Sequence, residues 1–258
     1  MNRDYIAEGK HSAELARKKL ELDNAPIKDL FGLLGSQGIF VVRMPIGDPD
    51  LSGVFYFEKN KNRASILVNS DRSPGHQNFT AAHEYCHYLY DKEENPVIFE
   101  EGARKSYIEK RADQFAANLL MPEDGVKYFV EDVLRIKIKR LDNEQIAQIR
   151  NEYGTSWKTT LYRLNNLGYS FDCAVELKIK DTGNLNFASL SLGLEQEINN
   201  HTNKLRLPSD YIRMVFKAFY AEKISMGRLA ELLRVSQEEA KDILQGMDEA
   251  REDDRPNI

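Results

Sequence analysis

Apolar positions recur at helical spacing early in the chain. In residues 11–24, HSAELARKKLELDN, Ala13, Ala16 and Leu20 fall three and four apart, a pattern that predicts an amphipathic helix. Pro26 opens a second helical piece, IKDLFGLLGSQG, which stops near Gly35 and Gly38. The period then changes. GIFVVRMPI, SGVFYFEK and ASILVNS are rich in β-branched and aromatic residues, and Gly47-Asp48-Pro49-Asp50 and the polar stretch 58–63 supply turns between them. Three strands in a small antiparallel or mixed sheet are expected.

After Asn69 the helical period returns. Ser73-Pro74 offers a cap and a proline at the first helical position, so a helix is expected over residues 74–90. From Ser106, SYIEKRADQFAANLLMP predicts a second strong helix, halted by Pro122. Further helices are expected over 122–134, in LDNEQIAQIR and in SWKTTLYRLNNLG, the last closed by Gly168. Residues 171–206 mix strand-like stretches, CAVELKIK and FASLSLGL, with polar turns. From Pro208 three helical runs follow, with Ser225 as one cap, Ser236 and Glu239 as a capping box, and Arg234-Val235 as a short link of helix-turn-helix spacing. The reading is an α+β domain over 1–170 and a C-terminal region over 171–258.

Composition narrows the function classes. Lys and Arg number 36 against 41 Asp and Glu, a net charge of -5, which gives no support to non-specific nucleic-acid binding. The third C-terminal helix carries Glu238, Glu239 and Asp242 against Lys241, so direct nucleic-acid contact through it is disfavoured. The two cysteines, Cys86 and Cys173, lie far apart and suggest neither a disulfide framework nor a thiol metal cluster. No run has the apolar length of a membrane span or a signal-peptide core, and a cytoplasmic location is expected.

The candidate chemistry is His83-Glu84-Tyr85-Cys86-His87, inside FTAAHEYCHYLY. On a helix, His83 and His87 stand one turn apart on one face with Glu84 beside them, the spacing of a helical zinc-peptidase site. Two imidazoles would bind metal, and Glu84 would act as general base toward water rather than as a ligand. The bland alternative is a pair of half-buried helix histidines without metal. Phe79, Ala82, Cys86 and Leu89 give the helix an apolar stripe, on which Cys86 reads as a small buried side chain.

A third ligand is best sought on the helix from Ser106. Glu109 and Asp113 are one turn apart there, beside the apolar face Ala112, Phe115, Ala116, Leu119 and Leu120. Glu109 could complete the site while Asp113 accepts a hydrogen bond from a ligand imidazole. The alternative makes both carboxylates a solvated face laced to Lys110 and Arg111. His76 could face the cleft but reads better as a surface residue, and His11 and His201 sit in polar contexts without a visible partner. Tyr88, Tyr107, Tyr162 and Arg163 are candidates for an oxyanion donor. The strands at 52–57 or 64–70 are candidates for a cleft edge that pairs with an extended peptide.

FTAAHEYCHYLY followed by EKRADQFAANLLMP, with LSGVFYF and ASILVNS upstream and SWKTTLYRLNNLG downstream, resembles the ImmA/IrrE family of metallopeptidases. The resemblance covers most of the chain up to about residue 170. It implies a zincin-like helical core with a small sheet, Zn2+ held by His83, His87 and Glu109, Glu84 as base, and a supporting role for Asp113. It also implies a regulatory endopeptidase whose substrate is a partner protein, such as a helix-turn-helix repressor or an antitoxin. A non-cleaving, metal-stabilised module that binds a repressor is the alternative, and DNA binding through the C-terminal helices is the weaker one.

Overall fold

The computed structural model describes residues 4–92, 97–100, 107–171 and 205–253. Contacts divide the chain into two compact units, residues 1–206 and 207–258. The boundary expected near 170 adjoins residues 172–204, and CAVELKIK, FASLSLGL and His201 fall among them, outside the described residues.

In the first unit, α1 runs over Tyr5–Lys19. It starts earlier than the apolar pattern suggested because Asp4 caps the N–H groups of Ile6 and Ala7. It ends before Leu22 because Glu21 and Asp23 adopt left-handed backbone angles. A short α2, Leu30–Ser36, capped by Asp29, leads into the sheet. The strands β1 (Ile39–Met44), β2 (Leu51–Glu58) and β3 (Arg63–Asn69) form where the β-branched and aromatic runs predict them. A fourth strand, β4 (Val97–Glu100), joins in the order β1-β3-β2-β4.

The sheet is mixed, as expected, since β1 pairs parallel with β3 whereas β2 runs antiparallel to β3 and β4. Neither strand proposed as a peptide-pairing edge lies at one. Both β2 and β3 are flanked on two sides, and the outer positions among the described strands belong to β1 and β4. The cause is register: the hydrophobic alternation in β2 and β3 is shared by both neighbours, so sequence alone could not rank edge against centre.

Ile39, Val41, Phe55, Ile66 and Val68 turn one face of the sheet inward, where α3 (Pro74–Tyr90) packs. Residues Thr80 through His87 of α3 are all buried, more than the predicted apolar stripe requires. At its start, Gly75 lets the helix approach the turn at 155–156 closely, and Asn78 donates to Gly154 O at 2.8 Å. The helix α4 (Tyr107–Leu120) crosses α3 and lies along α1. Gly9 makes that contact close: a Cβ there would fall 2.5 Å from Gln114 Cβ and 2.7 Å from Arg111 O.

Two buried arginines close the C-terminal end of α4, where carbonyls lack helical partners. Arg17 donates to Leu119 O and also to the carbonyls of Leu22, Asp23 and Ala25, and Arg163 Nε donates to Met121 O at 2.9 Å. The remaining helices are α5 (Glu123–Tyr128), continued by a π-helical turn at Phe129–Val133, then α6 (Asn143–Tyr153) and α7 (Trp157–Asn166). A two-residue parallel pair, Arg140–Leu141 with Ser170–Phe171, was not legible in so short a run.

The second unit packs α8 (Ser209–Tyr220), α9 (Met226–Leu233) and α10 (Gln237–Asp253) around Val215, Phe216, Leu229, Leu233 and Leu244. Ser225 caps α9, Arg234 ends it in the left-handed region at φ 57°, and Ser236 and Glu239 bond reciprocally at the start of α10. These caps are the ones the sequence predicts. No helix among the described residues is long and apolar enough to cross a membrane.

Candidate metal centre

The i, i+4 spacing on α3 brings His83 and His87 ring to ring, with their Nε2 atoms 3.1 Å apart and both side chains fully buried. From α4, Glu109 faces the same point. Its Oε2 lies 3.1 Å from His83 Nε2 and its Oε1 lies 3.5 Å from His87 Nε2. Three ligand atoms on a tetrahedron of ~2.0–2.1 Å bonds would stand about 3.3–3.4 Å apart. With one oxygen taken from Glu109, the three donor atoms lie within 4.8 Å of one another, close enough for His83, His87 and Glu109 to hold a metal ion after a small adjustment. Nitrogen and carboxylate donors suit a borderline divalent metal.

Each imidazole has its other nitrogen occupied. His83 Nδ1 lies 3.1 Å from Asp113 Oδ1, and His87 Nδ1 lies 2.8 Å from Asp91 Oδ2. Donation from both Nδ1–H groups leaves both Nε2 lone pairs directed inward. Burial pulls the His83 pKa down, but its hydrogen bonds to Asp113 and Glu109 and the charge of Glu84 outweigh this and raise it. For His87 burial wins and the pKa falls, despite Asp91.

Glu84 lies fully buried beside the pair, its carboxylate against the backbone N–H of Phe55 on β2. Burial, reinforced by the charge of Glu109, pushes its pKa up to about 8 against the pull of His83. A carboxyl whose proton affinity burial raises is suited to carrying a proton. Gly53 on β2 makes room for it, since a Cβ there would sit 3.2 Å from Glu84 Oε1 and 2.4 Å from Thr80 Cγ2.

All five residues singled out in the sequence, His83, Glu84, His87, Glu109 and Asp113, thus come together. Asp113 takes the supporting position beside His83, in place of the alternative of a solvated face laced to Lys110 and Arg111. Arg111 instead donates to Asp91 and Glu8. Cys86 is buried, as its place on the apolar stripe predicts, and its thiol is pushed up to about 12 by burial.

The remaining candidates scatter. His76 is half-buried rather than on the surface, and its Nε2 lies 3.0 Å from Ser52 Oγ. His11 is exposed. The Tyr107 hydroxyl donates to Glu8, the Tyr162 hydroxyl accepts from Gln114, and the Arg163 Nε is occupied by Met121 O. Tyr88 stacks on Tyr85 with Lys92 over its ring. Sequence reasoning missed Asp91, Arg111, Glu8 and Gly53. Asp91 could have been found, because it stands one turn beyond His87; the others are brought in only by helix packing.

A family model described as the IrrE N-terminal-like domain of peptidase M78 matches residues 34–165, just over half of the chain. The chain belongs to the M78 peptidase family. The match spans α2 through α7 and contains the whole His83, His87, Glu109 cluster. The M78 match bears out the ImmA/IrrE resemblance and places the mixed α+β architecture in a peptidase family. A comparison with curated proteins finds no match.

Proposed function

We propose that this M78 family member is a zinc-dependent endopeptidase of the cytoplasm with a regulatory role, and that it cleaves a partner protein such as a helix-turn-helix repressor or an antitoxin. The observation that carries the reading is the compact triangle of His83 Nε2, His87 Nε2 and the Glu109 carboxylate. Zinc in such a ligand set supplies a Lewis acid that polarises a carbonyl and acidifies water.

The chain's own residues do the rest. Glu84 takes a proton from water at a carboxylate oxygen as the water oxygen attacks the peptide carbon, and then delivers that proton to the leaving amide nitrogen. Its full burial supports this, because a carboxylate taken out of water binds a proton readily. Asp113 and Asp91 hold the two imidazoles in the inward-facing tautomer. The protein-substrate reading rests on the family, and the exposed acidic residues Glu238, Glu239 and Asp242 on α10 support a protein partner over a nucleic acid.

The test pairs two variants with a co-expressed partner repressor. Glu84→Gln is expected to retain one equivalent of zinc and to lose cleavage, whereas His83→Ala loses the metal. Equal cleavage by Glu84→Gln overturns the mechanism. Repressor release without any cut by the parent protein would favour a binding module.

A further inference from the structure

Beyond the three ligand candidates, a line of charged side chains runs from His87 to the first helix. Asp91, at the end of α3, lies against His87 Nδ1 at 2.8 Å. Both its oxygens receive Arg111 Nη2 from α4 at 2.6 Å. Arg111 Nη1 reaches across to Glu8 Oε1 on α1 at 3.2 Å, and the Tyr107 hydroxyl also donates to Glu8. The Asp91 and Arg111 side chains are 4% and 10% exposed, so the line is buried at the His87 end and reaches the surface only at Glu8.

We infer that Asp91, Arg111 and Glu8 are positioning residues for His87, which makes α1 a working part of the metal centre although it lies outside the segment matched to the peptidase family. The inference rests on the metal-site reading above. A ligand imidazole can rotate about its side-chain bonds, and its metal affinity depends on which nitrogen carries the proton. Asp91 fixes both by accepting from Nδ1. A buried carboxylate needs a counter-charge, which Arg111 supplies. The guanidinium is in turn held at two ends, by Asp91 at Nη2 and by Glu8 at Nη1.

The packing explains why Glu8 can reach. The next residue, Gly9, brings the α1 backbone against Arg111 O and Phe115 N, where any side chain would collide. Glu8 is therefore carried to Arg111 at a height set by backbone contact, not by a flexible loop. His83 has its carboxylate, Asp113, on α4 beside Glu109, whereas His87 has Asp91 at the end of its own helix, held in turn by Arg111 on α4 and Glu8 on α1.

The experiment uses the full chain stripped of metal, with Zn2+ affinity measured by chelator competition and the ligand field read from the visible absorption of the Co2+ form. Asp91→Ala is expected to weaken zinc binding about 10- to 100-fold. Glu8→Gln, at a side chain 39% exposed and tolerant of change, is expected to weaken it about 3- to 5-fold and to shift the Co2+ absorption. In the Asp91→Ala background, Glu8→Gln should have no further effect, because its influence passes through Asp91.

Unchanged affinity and spectrum in Glu8→Gln would remove α1 from the centre, as would full additivity of the two changes. Should Asp91→Ala fail to fold, Glu8→Gln decides alone. No zinc binding by the parent chain overturns the metal-site reading and this inference together. Parent binding that His83→Ala abolishes but Glu8→Gln and Asp91→Ala leave intact overturns only the positioning role.

Discussion

Replacing Gly53 by alanine is expected to damage the centre without touching a ligand. Gly53 sits on β2 opposite Val68 of β3, with backbone angles outside the left-handed region, so alanine meets no conformational penalty there. The penalty is steric. The new methyl would stand 2.4 Å from Thr80 Cγ2, 3.0 Å from Leu67 O and 3.2 Å from Glu84 Oε1. Carbon atoms prefer about 3.5–4.0 Å, so the first contact is short by more than about 1 Å.

Thr80 is fully buried and β-branched on a helix, which leaves it little torsional freedom, and Leu67 O belongs to the sheet backbone. Thus α3 and β2 must part. Overpacking of this kind costs about 1–3 kcal/mol. At about 2–4 °C per kcal/mol for a domain of this size, the expected loss in Tm is roughly 2–12 °C. Glu84 shifts with the helix, and a displacement approaching 1 Å at the base lowers turnover by about 100-fold.

Zinc content should stay at one equivalent, since Asp113 and Asp91 hold the imidazoles independently of β2. Thermal melts, metal analysis and cleavage of the partner substrate give the three readouts. Adding Thr80→Ser to Gly53→Ala removes the shortest contact and should restore most of the stability. Parent-like stability and cleavage in Gly53→Ala, or no recovery with Thr80→Ser, would refute the steric account.

Two further outcomes follow from the charges and the thiol. Glu123 bonds Lys10 at 2.7 Å and Lys127 at 2.6 Å, and Lys10 first and Lys127 second lower its pKa from 4.5 to about 2. Its stabilisation is present above pH 4.5 and is lost as the pH falls toward 2. Melts from pH 6 downward should show Glu123→Gln losing about 1 kcal/mol relative to the parent at the upper end and nothing at the lower, the small value reflecting solvent screening of exposed partners. A gap that widens on acidification would contradict this. Cys86, buried and pushed up to about 12, should resist alkylation in the native protein and react on unfolding, as mass spectrometry after iodoacetamide treatment would show. Rapid native labelling would sink that assignment.

Much of the fold was legible because local rules and tertiary packing agree. The caps at Ser225 and Ser236, the proline start of α3 and the strand runs of β1 to β3 each fix an element from its own residues. Where the chain departs from expectation, a cap outside the apolar pattern or a non-local contact decided. Asp4 and the left-handed residues after Lys19 moved α1, and β4 displaced β2 from an edge. His76 turned inward because Ser52, 24 positions earlier, offers it a partner.

The sequence by itself determined the candidate imidazoles His83 and His87 and their spacing on α3, since i, i+4 geometry is a property of any helix. It also determined the pairing of Glu109 with Asp113 one turn apart on α4. Only the tertiary structure decided that the Glu109 carboxylate meets the two imidazoles, its Oε2 3.1 Å from His83 and its Oε1 3.5 Å from His87, because that depends on how α4 packs on α3. The same holds for the unsolvated state of Glu84 beneath Gly53, and for the reach of Glu8 to His87 through Arg111 and Asp91. Burial and close backbone approach arise from elements distant in the chain, and no local pattern of residues encodes them.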